Sequence, residues 1–255
     1  MSFDESQRAR AYIGTSGWNY KHWSNGVFYP PKLPQKRWLE FYSQHFDTVE
    51  VNSTFYHLVK KSVFETWRQT VPDEFLFVVK ASRFITHLKR LKEPEVTTAN
   101  FLESITGLGN KLGPILFQLP PSMKAAPDRL QGLIDTLNHQ QIVEVPRLVL
   151  EVREASWLCD EIFDILQRNN MALCFADWPG LNVDGPVTAD FVYLRRHGPG
   201  DLYSSDYPIH MLQQDAENIK KWLAKGIDVF VYFNNDVAGY AVKNAQELKE
   251  LLKIS

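Results

Sequence analysis

Residues Asp228–Ala245 read DVFVYFNNDVAGYAVKNA: a continuous apolar block, then two amides and a carboxylate, then a helical pattern. Val229 to Phe233 alternates with nothing polar, which marks a strand covered on both faces, as in a parallel sheet flanked by helices. Asn234, Asn235 and Asp236 supply turn chemistry at its exit, and Gly239 lets the chain reverse. Asn244 with Glu247 is expected to cap a helix whose stripe is Leu248, Leu251 and Leu252. The whole is one β-strand, polar exit and α-helix.

The same unit recurs along the chain. Strand-like segments are Tyr12–Trp18, Thr48–Tyr56, Phe75–Ser82, Pro114–Pro120, Arg147–Arg153, Met171–Trp178, Phe191–His197 and Asp228–Asn234. Helical patterns lie between them. Pro34 opens one with Trp38, Phe41, Tyr42 and His45 on a face. Ser62 and Glu65 form a capping box, Leu130, Leu133, Ile134 and Leu137 a stripe after Pro127. Further stripes are Leu158, Ile162, Ile165, Leu166, and Leu212, Ala216, Ile219, Leu223. Eight such units in about 250 residues match the order and size of an α/β TIM-like (β/α)8 barrel. The sixth unit is irregular, because PGLNVDGPVTA between Trp178 and Asp190 carries two prolines and two glycines and cannot hold a regular helix. The expected organisation is a single barrel domain over residues 1–255, with residues 1–10 as a tail.

In such a barrel, sites gather where strands end, and residues two apart share a face. Glu50 pairs with Asn52 in this sense, Lys80 with Ser82, Glu151 with Arg153, and Tyr232 with Asn234. Tyr193, Arg195 and His197 line one face of their strand, while Gln118 and Asp177 stand near the ends of theirs. Two readings compete. The charges neutralise one another as a buried structural layer, or they surround a ligand. Convergence of so many polar groups on one rim favours a ligand, since an apolar layer would hold the barrel as well.

Three loops extend that rim. RFITHLKRLK (83–92) brings Arg83 and His87 on a basic segment that Phe84, Ile85 and Leu88 are expected to anchor over the mouth. RRHGPGDLY offers backbone amides around Gly198 and Gly200, suited to a phosphate. Trp18, Tyr20, Trp23, Tyr56, Trp157, Trp178 and Tyr240 are candidates for an aromatic wall.

Composition narrows the classes. The net charge of −2 excludes a generic polyanion binder. Cys159 and Cys174 stand without a C-x-x-C pair, which implies reduced thiols and a cytoplasmic setting. The N-terminal MSFDESQRAR lacks an apolar signal core, and no apolar run reaches the ~20 residues that cross a bilayer. Phosphate-loop, dinucleotide, zincin and nucleophile-elbow motifs are absent. His57, His87 and His197 lack ligand spacing, so a divalent metal ion is a weakly signalled cofactor, held if at all by the carboxylates.

The stretches YIGTSGWNYKHW, FDTVEVNSTFY, VVKASRFITHLKRL, GPILFQLPP, LVLEVREASW, YLRRHG, VYFNND and GYAVKNA, in this order, resemble the domain-of-unknown-function 72 (YecE-like) family over nearly the whole length. The resemblance implies a TIM-like barrel with these motifs at strand ends. It also implies a similarity to barrel-type apurinic endonucleases, although their full His/Glu/Asp metal set is not matched here.

The leading expectation is a binder or hydrolase of a phosphate-bearing ligand, a nucleotide or nucleic-acid fragment, phosphodiesterase-like before glycosidase-like. Glu50, Glu151 and Asp177 are the expected catalytic residues. Asn52, Lys80, Arg83, His87, Gln118, Arg153, Trp157, Tyr193, Arg195, His197, Asn234, Asn235 and Asp236 are the expected ligand contacts. Arginine suits this because its planar fork matches phosphate oxygens. Replacing Arg153 or Arg195 is expected to remove binding and spare the fold. The alternatives are a carbohydrate-active hydrolase using two of the carboxylates, and a non-catalytic binding or scaffold protein.

Overall fold

The computed structural model of the chain describes residues 9–139, 147–183 and 185–254. Most of the expected N-terminal tail therefore lies outside the described residues. Strands run over Ala11–Thr15 (β1), Thr48–Val51 (β2), Leu76–Lys80 (β3), Leu112–Gln118 (β4), Leu148–Glu151 (β5), Met171–Trp178 (β6), Leu181–Asn182 (β7), Phe191–Arg196 (β8) and Asp228–Phe233 (β9). Eight of them form one parallel sheet in the order β1-β9-β8-β6-β5-β4-β3-β2, and the short β7 folds back antiparallel on β6. Helices Lys61–Thr70, Pro127–His139, Asp160–Arg168, Ile209–Leu223 and Tyr240–Leu252 are among those that connect the strands. The fold is the expected TIM-like barrel, nearly closed. Between β6 and β8 no helix forms among the described residues, as the prolines and glycines there require.

Two layers of apolar side chains explain the continuous strand runs. Val78, Leu116, Val149, Cys174, Tyr193, Phe230 and Tyr232 fill the barrel interior. The alternate residues, such as Val49, Phe77, Ile115, Leu150, Leu173, Leu194 and Val231, pack outward under the helices. Leu212, Ala216 and Ile219 bury one face of their helix, and Arg196 on β8 fastens it through Asp215 at 2.7 and 2.5 Å.

The seam between β1 and β2 is not a hydrogen-bonded ladder. The Tyr42 hydroxyl spans it, accepting from the Thr15 N–H at 3.0 Å and donating to the Thr48 carbonyl at 3.1 Å. Gly14 makes this approach feasible, because a Cβ there would lie 2.3 Å from the Thr48 carbonyl oxygen. Tyr42→Phe strands a buried N–H without its acceptor, so a loss of about 1–3 kcal/mol is expected by urea denaturation. An unchanged midpoint would mean the seam does not need this bridge.

Several local expectations are corrected. Ser53–Tyr56 is a helical turn rather than the end of β2. The helix Lys61–Thr70 starts one residue before Ser62, with no side-chain cap at Lys60, so the Ser62–Glu65 box does not form. Asn244 lies inside the helix Tyr240–Leu252, where it donates to Glu247 within the same helix and to the distant Asp206 instead of capping. Trp18 packs edge-on against Trp67, and Trp23, fully buried, donates its indole N–H to the Asp236 carbonyl. The expected aromatic wall is, at these two positions, core packing behind β1.

Candidate functional site at the C-terminal mouth

Inward residues near the strand ends meet at one end of the barrel. Arg195 (β8) stands at the centre. Its Nε and Nη2 donate to Glu50 (β2) at 3.0 and 2.7 Å, and its Nη1 donates to Glu151 (β5) at 2.7 Å. Glu50 also accepts from Ser16 at 2.8 Å and from the Tyr193 hydroxyl at 2.6 Å. Glu151 takes Arg153 at 3.0 Å, and His197 Nε2 lies 3.4 Å from it. Glu50, Glu151 and Arg195 are completely buried. Burial, the largest single influence, would raise both carboxyls, but Arg195 together with Lys80 and Tyr193 at Glu50, and with Arg153 and His197 at Glu151, holds them below the usual carboxylate range, Glu151 furthest.

Every oxygen of Glu50 and Glu151 already receives a donor, and those of Glu50 two each, so these carboxylates are engaged in the network rather than turned to an open space. Among the described residues no group of three His, Cys, Asp or Glu is set to hold a metal ion. Three of the five Arg195 N–H groups go to the two carboxylates, and the guanidinium is completely buried, so it presents no open fork to a phosphate. As a neutral ring, His197 accepts from the Asn234 amide at Nδ1 (3.1 Å) and places Nε2 between Glu151 Oε1 (3.4 Å) and Arg195 Nη1 (3.5 Å). Burial lowers its pKa, which favours this neutral form.

Lys80 is the exception. It sits on the inward face at the end of β3 and is 9% exposed. Its Nζ lies 4.4 Å from the centre of the Phe55 ring and hydrogen-bonds to no described residue. It is also not among the partnerless polar atoms sealed from solvent, which are Asn52 Oδ1, Thr97 Oγ1 and Asn235 Oδ1. The amine therefore reaches the mouth. Burial, reinforced by Arg195, pushes its pKa down to about 7.

Around Lys80 lie the remaining mouth residues. The Arg153 guanidinium stacks 3.5 Å from the centre of the Trp178 ring. His87 packs edge-on to Phe55, and burial together with Lys80, Arg153 and Arg83 pushes its pKa down to about 4. Arg83 is exposed on the rim. The segment that carries it forms a single π-helical turn, Phe84–Leu88, followed by left-handed Arg90, Leu91 and Glu93. Ile85 and Leu91 anchor it, whereas Phe84 and Leu88, expected to do so, are exposed. Gln118 faces inward and donates to the Leu119 carbonyl at 2.6 Å, and Asn52 donates to the Ser16 carbonyl at 3.1 Å.

The other expected residues serve elsewhere. Asp177 accepts the His197 N–H at 2.6 Å and the Tyr207 hydroxyl, so it braces a loop. Trp157 is fully buried and donates to the Met123 carbonyl at 2.7 Å. Asn235 points toward the helices, bonding Ser205 and Asn244. Asp236 meets His22 and receives the Gly239 N–H, bracing the turn. The amides of Gly198 and Gly200 are taken by the Tyr207 and Ser205 hydroxyls, so that loop is not an open phosphate cradle. Phe55 was not foreseen. Its signal was the Asn52-Ser53-Thr54 run, which favours a turn over further strand. The Thr54 hydroxyl then donates to the Lys80 carbonyl at 2.6 Å, locking Phe55 beside the amine.

A cavity of about 800 Å³ lies at the opposite pole, lined by Arg10, Asp47, Lys220 and Leu252. It gathers none of the inward polar groups, and sites of this fold occupy the other end. A cleft of about 470 Å³ beside Asp177, Trp178 and Gly198 adjoins the C-terminal end. No described helix is long and apolar enough to cross a membrane.

Fold and site together define a parallel α/β barrel whose C-terminal mouth is floored by a sealed charge network. The chain belongs to the family described as Protein of unknown function DUF72, which matches residues 12–255. It is 28% identical to the UPF0759 protein YunF of Bacillus subtilis (strain 168), over 95% of each chain. The crystal structure of a DUF72 family protein (TM1631) from Thermotoga maritima superposes with a TM-score of 0.81 at 27% identity, covering 96% of this chain and 99% of that one. The structure of SacUVDE shares the fold at a TM-score of 0.58 and 9% identity, covering 96% and 98% of the two chains.

Proposed function

We propose that the C-terminal mouth binds a small ligand carrying a phosphate or comparable anionic group, such as a nucleotide or the terminus of a nucleic-acid fragment. The observation that supports it is a charge imbalance: two buried carboxylates, Glu50 and Glu151, face three cations, Arg195, Arg153 and Lys80. The surplus positive charge, carried while Lys80 is protonated, sits at the open end on an amine with no hydrogen-bond partner among the described residues. Arg153, flat on Trp178, presents its remaining N–H groups beside it, and Arg83 adds charge at the rim. One surplus charge suits a terminal phosphate better than a tracked nucleic-acid backbone, whose affinity comes from many neutralised phosphates. The carbohydrate reading loses support because its two carboxylates grip a common guanidinium instead of flanking an open space.

Ligand-observed NMR with inorganic phosphate, a nucleoside monophosphate and a neutral monosaccharide tests this. The two phosphates should bind, and Arg153→Met should weaken both about tenfold, roughly 1.4 kcal/mol. Glu151 keeps Arg195 in that variant, so the fold should survive. Equal binding of the monosaccharide, or phosphate binding indifferent to Arg153→Met, would rule the proposal out.

A further inference from the structure

We propose that Lys80 is a nucleophilic amine that forms an imine with a carbonyl-bearing ligand in the mouth. This goes beyond anion binding and rests on the placement of Lys80 alone.

The comparison that carries it is internal. Lys111 is as buried as Lys80, but its ammonium donates to the carbonyls of Arg68 and Val71 at 2.9 and 2.7 Å. That is how a structural buried lysine is satisfied. Lys80 has no such partner, although Glu50, Glu151, Arg153, Arg195 and His87 all surround it. The carboxylates that would pair with it are claimed by Arg195 and Arg153 instead. The amine is thus kept desolvated, beside cations and unbonded, which are the conditions that free a lysine lone pair near neutrality. The Thr54 bond to its carbonyl and the rigid end of β3 hold its backbone in place. The Phe55 face favours a cation at Nζ, whether ammonium or iminium.

The step balances without a cofactor. Lys80 Nζ–H₃⁺ loses a proton, and the lone pair attacks the carbonyl carbon. The C–N bond forms while the carbonyl π pair moves to oxygen, giving a carbinolamine. Loss of that oxygen as water, with two of the protons originally on Nζ, leaves a protonated imine. The sum is ammonium plus carbonyl giving iminium plus water.

Reductive trapping tests it on the intact chain. The protein is incubated with glycolaldehyde, a neutral carbonyl, or with glycolaldehyde phosphate, reduced with cyanoborohydride, and mapped by peptide mass spectrometry. Lys80 should label before the exposed lysines. Its rate should rise about tenfold between about pH 6 and pH 8 and then level, as a group titrating near 7 requires, whereas ordinary lysines should climb about a hundredfold over the same window. Lys80→Arg should remove the fast label and leave the others. Labelling of Lys80 no faster than that of exposed Lys60, or no label at all, would overturn the proposal. The two readings separate cleanly. Trapping by glycolaldehyde with no advantage for its phosphate keeps the imine and drops the phosphate. Phosphate binding without trapping does the reverse.

Discussion

Arg195→Met should cost the protein its folded state at ambient temperature, or leave it unfolding at low urea, in addition to any effect on ligands. The sequence suggests the opposite, a binding arginine whose loss spares the fold. Burial decides. The guanidinium is completely inaccessible and is the chief counter-ion of Glu50 and Glu151, which are equally buried. Removing one partner of a single buried pair costs about 3–5 kcal/mol, because the other charge is left desolvated. Here Glu50 is left without a guanidinium and Glu151 with Arg153 alone, against a total stability of about 5–15 kcal/mol for a typical domain. Without Arg195 both carboxyls would rise in pKa, Glu50 most, so the variant should be less unstable near pH 5 than near pH 8. Arg195→Lys keeps the charge, loses the fork and should fall between. Near-UV circular dichroism and urea midpoints measure all of this. A soluble Arg195→Met protein with the wild-type midpoint would show that the network carries no structural burden.

Lys80→Met should move the other way. The amine titrates at about 7 in the folded chain against 10.5 when unperturbed. Below about 7 both folded and unfolded chains carry the proton, and the folded chain bears the desolvation cost. Between 7 and 10.5 the unfolded chain binds more protons, so stability rises with pH across that window. At about 1.4 kcal/mol per unit the shift has an upper value of about 5 kcal/mol, and relaxation of the mouth brings the expected gain of Lys80→Met at pH 6 to about 2–4 kcal/mol. The gain should shrink toward zero by about pH 10. A site that keeps a destabilising amine for its chemistry fits the usual trade between stability and activity. If Lys80→Met is destabilising at pH 6, or its effect is flat with pH, the amine is an ordinary packed side chain and its special status is lost.

How far these residues were legible in the sequence depended on the kind of information each required. The barrel strands were readable because a strand covered on both faces leaves a continuous apolar run, and VFVYF shows it without reference to anything distant. The convergence of Glu50, Lys80, Glu151, Arg195 and Asn234 followed from period-two alternation along each strand. The same alternation should have divided Asn234 from Asn235, which the structure sends inward to His197 and outward to Asn244. Caps were misread because Ser62 and Asn244 fit a local pattern that a neighbouring helix start and a tertiary bond overrode.

Sequence alone determined the architecture and the membership of the inner face, since both rest on local periodicity that every residue repeats. Which charges are spent on each other and which one is left over was decided only by tertiary structure. Pairing depends on contact distances of 2.7–3.0 Å between side chains 145 positions apart, as for Arg195 and Glu50. No spacing along the chain encodes that Arg195 claims two carboxylates and so leaves Lys80 with none.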